Sequence, residues 1–296
     1  MSYPTAVYKA DDLNLDNIKF SEPRINPKMG TKMIGVLYND PATNMLTKPL
    51  IQTPALASLF GIRTDSYEDG PAKTTLTMSL KGMDENEKIM GFHNLFSGLD
   101  DLMIKYAHDN TQSLFKKKCS DEVIRDKHTP LVKYSKDKET GEIITKYAPT
   151  IKFKVPRNTS TGDITTLVFD YKKNVIEDIE EALSVKGLNL QLLVEPTVMW
   201  VSGGKFGMSW TVKQIRMGKQ TRITGYAFKP DSDDEEEEED NQEENFQNED
   251  ENIQNSDAEV NSDDDDIAEI CNDTSELVVE ENEDDAPKKR GRKKKN

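Results

Sequence analysis

The feature that most limits what this chain can fold into is a break in its charge after Pro230. Residues 231–287 hold 28 Asp+Glu and no Lys or Arg, whereas residues 1–230 hold 32 Lys+Arg against 27 Asp+Glu. A segment of net −28 with few apolar residues cannot bury enough surface to offset its conformational entropy. Residues 231–296 are therefore expected to be a disordered tail, with Ile267, Ile270, Leu277, Val278 and Val279 as a sparse patch for transient docking. Whatever folds lies within residues 1–230, long enough for one domain with a sizeable core. The formal charge of −16 describes the tail; the folded part, at +5, is mildly basic.

Within those 230 residues the strongest local signal is Leu188–Met217, LNLQLLVEPTVMWVSGGKFGMSWTVKQIRM. Two apolar runs flank Ser202-Gly203-Gly204-Lys205, and a Gly-Gly pair supplies the positive φ angles that a two-residue hairpin turn demands. In the second arm Phe206, Met208, Trp210 and Val212 share one face and Gly207, Ser209, Thr211 and Lys213 the other. Both tryptophans of the chain, Trp200 and Trp210, lie here beside Lys205, Lys213 and Arg216. Aromatic rings interleaved with cations make a stacking surface for unpaired bases; the competing reading is that the rings are barrel core. Phe206 and Trp210 share a face, so both contact bases or both are core, and in the latter case Lys213 becomes the better contact.

The rest of the domain reads as strands interrupted by helices. Residues 1–30, with Pro4, Pro23 and Pro27, suit an extended, irregular arm. Lys32–Asn39 reads as a first strand, Leu50–Gln52 and Ser58–Arg63 as short ones, and Lys73–Leu80 alternates as a half-buried one. Asp84 and Glu87 have capping-box spacing ahead of Ile89, Phe92, Leu95, Phe96, Leu99, Leu102, Met103 and Tyr106, the stripe of an amphipathic helix. Gly91 and Gly98 weaken that helix by roughly 1 kcal/mol each relative to alanine, so packing must hold it. With a short helix at 120–126 it forms an insertion, residues 84–127, in a β domain at 31–230. Lys133–Lys146 reads as a solvated hairpin tip and Thr165–Asp170 as a further strand. Pro149–Pro156 sets Ile151, Phe153 and Val155 against Lys152 and Lys154 on the opposite face. Val175–Leu183 reads as a short acidic helix.

No catalytic constellation accompanies these elements. His93, His108 and His128 are not at metal-ligand spacing, and Gly203-Gly204 lacks the frame of a phosphate loop. No Gly-x-Ser-x-Gly elbow occurs, and Asp100-Asp101 reads as a solvated helix face. Cys119 and Cys271 are far apart, no apolar run approaches the ~20 residues a bilayer requires, and MSYPTAVYKADD lacks an apolar leader. The expectation is an intracellular protein that is not an enzyme, with no cofactor, no metal and no membrane.

Three stretches carry a resemblance to a known family: LFSGLDDLMIKYAHDNTQSLFKKKCSDEVI at 95–124, HTPLVKYSKDKETGEIITKYAPTIKFKVP at 128–156 and VEPTVMWVSGGKFGMSWTVKQIRM at 194–217. In these, and in the order basic β domain, helical insertion, aromatic hairpin, acidic tail, the chain resembles the OB-fold single-stranded DNA-binding proteins of large nucleocytoplasmic DNA viruses, related to that of the short-tailed phages. The resemblance implies a mainly β, OB-fold-like barrel with an inserted amphipathic helix and short helices. It implies sequence-independent binding of single-stranded DNA in replication, recombination or repair, in the host nucleus or a cytoplasmic viral factory. The acidic tail would compete with DNA and recruit a polymerase or helicase, and a homodimer is one arrangement it allows. Trp200, Phe206 and Trp210 would stack bases; Lys152, Lys154, Lys205, Lys213 and Arg216 would meet phosphates, with Arg63 and Lys73 next in line. The chain departs from that family in ending on Lys288, Lys289, Arg290, Arg292, Lys293, Lys294 and Lys295 rather than on acidic residues. That cluster (288–295) fits a nuclear localisation signal, an AT-hook core whose following proline is replaced by Lys293, or a basic end folded back on the carboxylates. A separate function class, an acidic-tailed chaperone or scaffold for basic proteins such as histones, is favoured by the 28 carboxylates and disfavoured by the +5 domain.

Overall fold

A computed structural model describes residues 3–27, 30–67 and 70–219. The acidic segment and the basic cluster at 288–295, and with them the expected tail, lie outside the described residues. In chain order the elements are β1 (Thr5–Lys9), β2 (Ile18–Phe20), β3 (Arg24–Ile25), β4 (Lys32–Ile34), β5 (Val36–Asp40), β6 (Met45–Gln52), β7 (Leu56–Tyr67) and β8 (Gly70–Ser79). The helices α1 (Glu87–Asp109), α2 (Thr111–Phe115) and α3 (Asp121–Lys127) follow. After them come β9 (Val132–Lys133), β10 (Thr150–Val155), β11 (Leu167–Phe169), α4 (Ile179–Leu183), β12 (Asn189–Ser202) and β13 (Lys205–Met217).

Five of these strands close into a ring. β7 pairs with β8, β8 with β10, β10 with β13 and β13 with β12. β12 then returns to β7 through Asn189↔Ala57 and Leu190↔Leu56. The β10–β13 pair is parallel and the other four are antiparallel. A five-stranded barrel is the architecture of the OB fold. The chain is therefore mainly β, an OB-fold-like barrel with helices inserted between its second and third strands.

Alternation builds the interior. Leu76 and Met78 of β8, Ile151, Phe153 and Val155 of β10, Val194 of β12 and Val212 of β13 are all buried. Each such side chain contributes about 1.5–3 kcal/mol by leaving water. The hairpin turn is as the glycines require: Gly203 and Gly204 take φ of 54° and 82° between the paired Ser202 and Lys205. At β7 a bulge between Ser58 and Ile62 carries Gly61 at φ 69°, where a Cβ would stand 2.5 Å from the Leu183 carbonyl oxygen. Only glycine lets α4 approach the barrel so closely.

The helical stripe packs as its spacing dictates. Ile89, Phe92, Leu95, Phe96, Leu99 and Met103 are buried, and Leu102 and Tyr106 half-buried. Phe96 meets Phe153 edge-on at 6.1 Å between centroids and Trp210 at 4.8 Å. The cap, however, is Asn86, whose side chain accepts from the Lys88 and Ile89 amides, rather than Asp84. Asp100 is not a solvated residue either. Its two oxygens accept the Leu131 amide at 3.0 and 3.1 Å, pinning the segment after α3 to the helix.

Residues 3–25 are not the irregular arm that their prolines suggest. β1 lies parallel along β6 from Thr5↔Lys48 to Lys9↔Gln52, β2 pairs with β5, and β3 with β4. Pro4 and Pro23 flank the strands instead of interrupting them. Between β1 and β2 two short 3-10 turns dock on α1 at its glycines. A Cβ on Gly91 would stand 2.7 Å from Asp11 Oδ1, and one on Gly98 would collide with Leu15 Cδ1. The two residues that weaken the helix are those that admit the arm. Two further boundaries shift: Lys32–Asn39 divides at Gly35 into β4 and β5, and the helix at 175–183 shrinks to α4, with Val175 bridged to Phe169.

Candidate nucleic-acid interface

Cross-strand register places one row of residues round the outside of the barrel. Arg63 lies opposite Thr75, Thr75 opposite Lys154, Lys154 opposite Thr211, and Thr211 opposite Glu195. Two residues along each strand, on the same face, Thr77 pairs with Lys152 and Asp65 with Lys73. Arg63, Lys73, Lys152 and Lys154 thus meet on three adjacent strands, β7, β8 and β10, with the buried Thr75 and the half-buried Thr77 between them. Lys152 is exposed and Lys154 half-buried. The Arg63 guanidinium stands 4.3 Å from the centroid of the half-buried Phe60, an arrangement that orients the cation and places a ring on this face. Phe60 has no periodic signal in the sequence, because it lies in the β7 bulge.

The other cations are distributed differently. Lys213 pairs with Glu195 at 2.6 Å, so its charge is locally offset. Lys205 is exposed at the hairpin tip, and Arg216 is exposed beyond Thr211 beside β11. The sequence-selected cations therefore divide into a compact group on β7, β8 and β10 and three separated positions along β13.

The three rings expected to stack bases are all covered. Phe206 is wholly buried, against Phe115 at 6.0 Å and His128 at 5.3 Å. Trp210 is buried under Phe96. Its Nε1 has no hydrogen-bond partner among the described residues. Trp200 lies on the opposite face yet is also buried, against Val198 and Met33. Its ring crosses Gly207, where a Cβ would stand 2.8 Å from Cζ2. The stacking assignment is corrected in favour of core: α1 claims the inward face of the hairpin, and β4 with the residues around Thr129 claims the stretch of outward face that holds Trp200. His128 belongs to the same packing, its Nε2 3.2 Å from Asp100 Oδ1 but out of line for a hydrogen bond.

A second basic group, absent from the sequence reading, surrounds the hairpin tip. Lys32, Lys116, Lys117 and Lys127 converge on the Gly203-Gly204 turn from β4, from the α2–α3 connection and from the end of α3. Burial, and then the neighbouring Lys116 charge, hold Lys32 below the ordinary lysine range. Its ammonium donates to the Ser113 and Leu114 carbonyls at the end of α2. Among the described residues no group of three His, Cys, Asp or Glu side chains is placed to hold a metal ion.

A closed OB-like barrel with cations on its first three strands is the class of protein defined by this geometry. The chain belongs to DUF5871, a family of unknown function whose profile matches residues 77–230. No curated protein matches it in sequence. Among solved structures it is similar to the single-stranded DNA-binding protein of bacteriophage Enc34 in complex with ssDNA, at 11% identity and a TM-score of 0.34, covering 70% of this chain and 99% of that one. It is also similar to gp2.5, the single-stranded DNA-binding protein encoded by bacteriophage T7, at 11% identity and a TM-score of 0.37, covering 61% of this chain and 98% of that one. Likenesses of this grade say nothing about what the present chain binds.

Proposed function

We propose that the chain binds single-stranded DNA, without reading its sequence, along the outer face of β7, β8 and β10. The observation that carries this reading is the grouping of Lys73, Lys152 and Lys154 on β8 and β10, the second and third barrel strands, whose face binds oligonucleotides in OB folds, with Arg63 beside them on β7. Lysines and arginine supply phosphate contacts, threonines supply small hydrogen-bonding side chains, and Phe60 offers a ring beside Arg63. No residue of the group is arranged for chemistry on the strand, so the role is to hold DNA during replication, recombination or repair, in a viral setting, a nucleus or a cytoplasmic factory.

The segment of net −28 acts in this reading as a tethered polyanion that competes for the basic face and, once displaced, meets a polymerase or helicase. The basic cluster from Lys288 to Lys295 serves as a nuclear localisation signal or neutralises part of the acidic run. Fluorescence anisotropy of the full chain against oligo-dT and against duplex of equal length tests the reading; preference for duplex, or no binding at low salt, would overturn it. The 28 carboxylates also favour a chaperone for basic proteins. Tight histone binding by the full chain together with failure to bind oligo-dT would select that alternative.

A further inference from the structure

Four lysines share one small space at the end of the hairpin. Lys32, Lys116, Lys117 and Lys127 line a groove of about 380 Å³ whose floor includes Phe115 and the Gly203-Gly204 turn. None of the described residues lining it is acidic. Lys127 reaches across it, its Nζ 5.9 Å from the centre of the Phe115 ring and 3.5 Å from where a Cβ on Gly204 would be. Position 116 is left-handed, at φ 59°, which ends α2 where Lys116 and Lys117 line the groove. Like charges held this close repel one another, and no packing gain accrues from gathering exposed ammonium groups. Burial first, and the Lys116 charge second, hold Lys32 below the ordinary lysine range. Lys32 is held by the Ser113 and Leu114 carbonyls, and an anion between the other lysines would relieve their mutual repulsion.

We infer that this groove is a second phosphate-binding site, built by the helical insertion, that seats one nucleotide of a single strand with its phosphate among Lys116, Lys117 and Lys127 and its base beside Phe115. The groove is of a size to take a small ligand, and Gly203 and Gly204 present no side chains of their own to it. The inference rests on the proposed single-strand reading and extends it by a site that the barrel strands do not supply. Gly204 lies seven residues along β13 from Thr211, the neighbour of Lys154. At about 3.4 Å per residue a strand must therefore cross roughly 24 Å to touch both sites.

The test uses the full chain and oligo-dT of increasing length. Lys116→Asn, chosen because asparagine tolerates the left-handed backbone, is combined with Lys117→Ala; Lys127→Ala is made separately, and thermal unfolding controls for folding. For oligonucleotides long enough to bridge the two sites, the double variant should bind roughly 10-fold more weakly at low salt. Its log–log salt slope should fall by about 1.4, two contacts at ~0.7 each. For shorter ones the loss should vanish. The amide resonances of Gly203, Gly204 and Lys117 should move on adding long oligo-dT. If Lys152→Ala weakens binding while the groove variants do not, the groove inference falls and the barrel-face reading stands. If the groove variants instead abolish competition by the acidic segment without changing the affinity of a chain ending at Pro230, the occupant is that segment and the inference falls. If the wild-type chain binds no oligonucleotide, both readings fall.

Discussion

Lys152 and Lys154 owe their position to simple alternation: Ile151, Phe153 and Val155 turn inward, so the lysines between them must turn out. Replacing either with alanine should lower the salt slope of oligonucleotide binding by about 0.7. Lys213→Ala should change it less, because the Glu195 carboxylate 2.6 Å away already offsets that charge. Trp210→Ala should cost about 3–5 kcal/mol in a denaturant titration, the loss of a buried aromatic, and leave affinity per folded molecule unchanged. A drop in affinity with unchanged stability would restore its stacking role. Lys32 provides a pH test. Its folded pKa is lowered, so the folded state holds that proton more weakly than the unfolded chain does. Stability should therefore rise as pH climbs from the depressed value through the ordinary 10.5, and Lys32→Met should flatten that rise relative to wild type. The sequence made the outward lysines legible and left the rings ambiguous, since alternation says which residues share a face but not what covers it. Lys32, Lys116 and Lys127 come from three separated segments, and nothing local to any of them signals that they meet.

Elements whose signal is local were the legible ones. The Gly-Gly hairpin, the α1 stripe and the alternating β8 and β10 each declare themselves within one continuous stretch of chain. β1 does not, because its partner β6 is far along the chain and their pairing is parallel. The meaning of Gly91 and Gly98 was hidden for the same reason: the docking turns at Asp11 and Leu15 are distant in sequence. Glycines at turns and bulges differ in a way that can be measured. Gly61 and Gly141 have similar φ, 69° and 71°, but only Gly61 faces backbone atoms of α4, while Gly141 faces open space. Gly141→Ala should cost about 1–2 kcal/mol, the left-handed penalty alone. Gly61→Ala should cost clearly more, read as a larger fall in midpoint; equal costs would show that α4 yields.

At the scale of the whole molecule the charge break after Pro230 sets two truncations against each other. A chain ending at Pro230 should bind single-stranded DNA more tightly than the full chain in dilute buffer, where charges are screened least. One ending at Ala286, which keeps every Asp and Glu and loses the basic cluster, should bind no more tightly than the full chain. Equal affinity of the Pro230 truncation and the full chain would remove self-competition from the account. The ring of strands has a further consequence, in the time it takes to form. β7 receives β12 through Ala57 and Leu56 meeting Asn189 and Leu190, so the barrel cannot close until four helices and several strands have left the ribosome. Closure that waits on so distant a partner is slow. Throughout that wait the waiting edge of β7 is an open template for another nascent copy. The carboxylates of residues 231–287 are made after every strand of the barrel, so their mutual repulsion comes too late to help, and a crowded polysome must rely on speed of synthesis, or on helpers, to carry each chain past its unclosed stage.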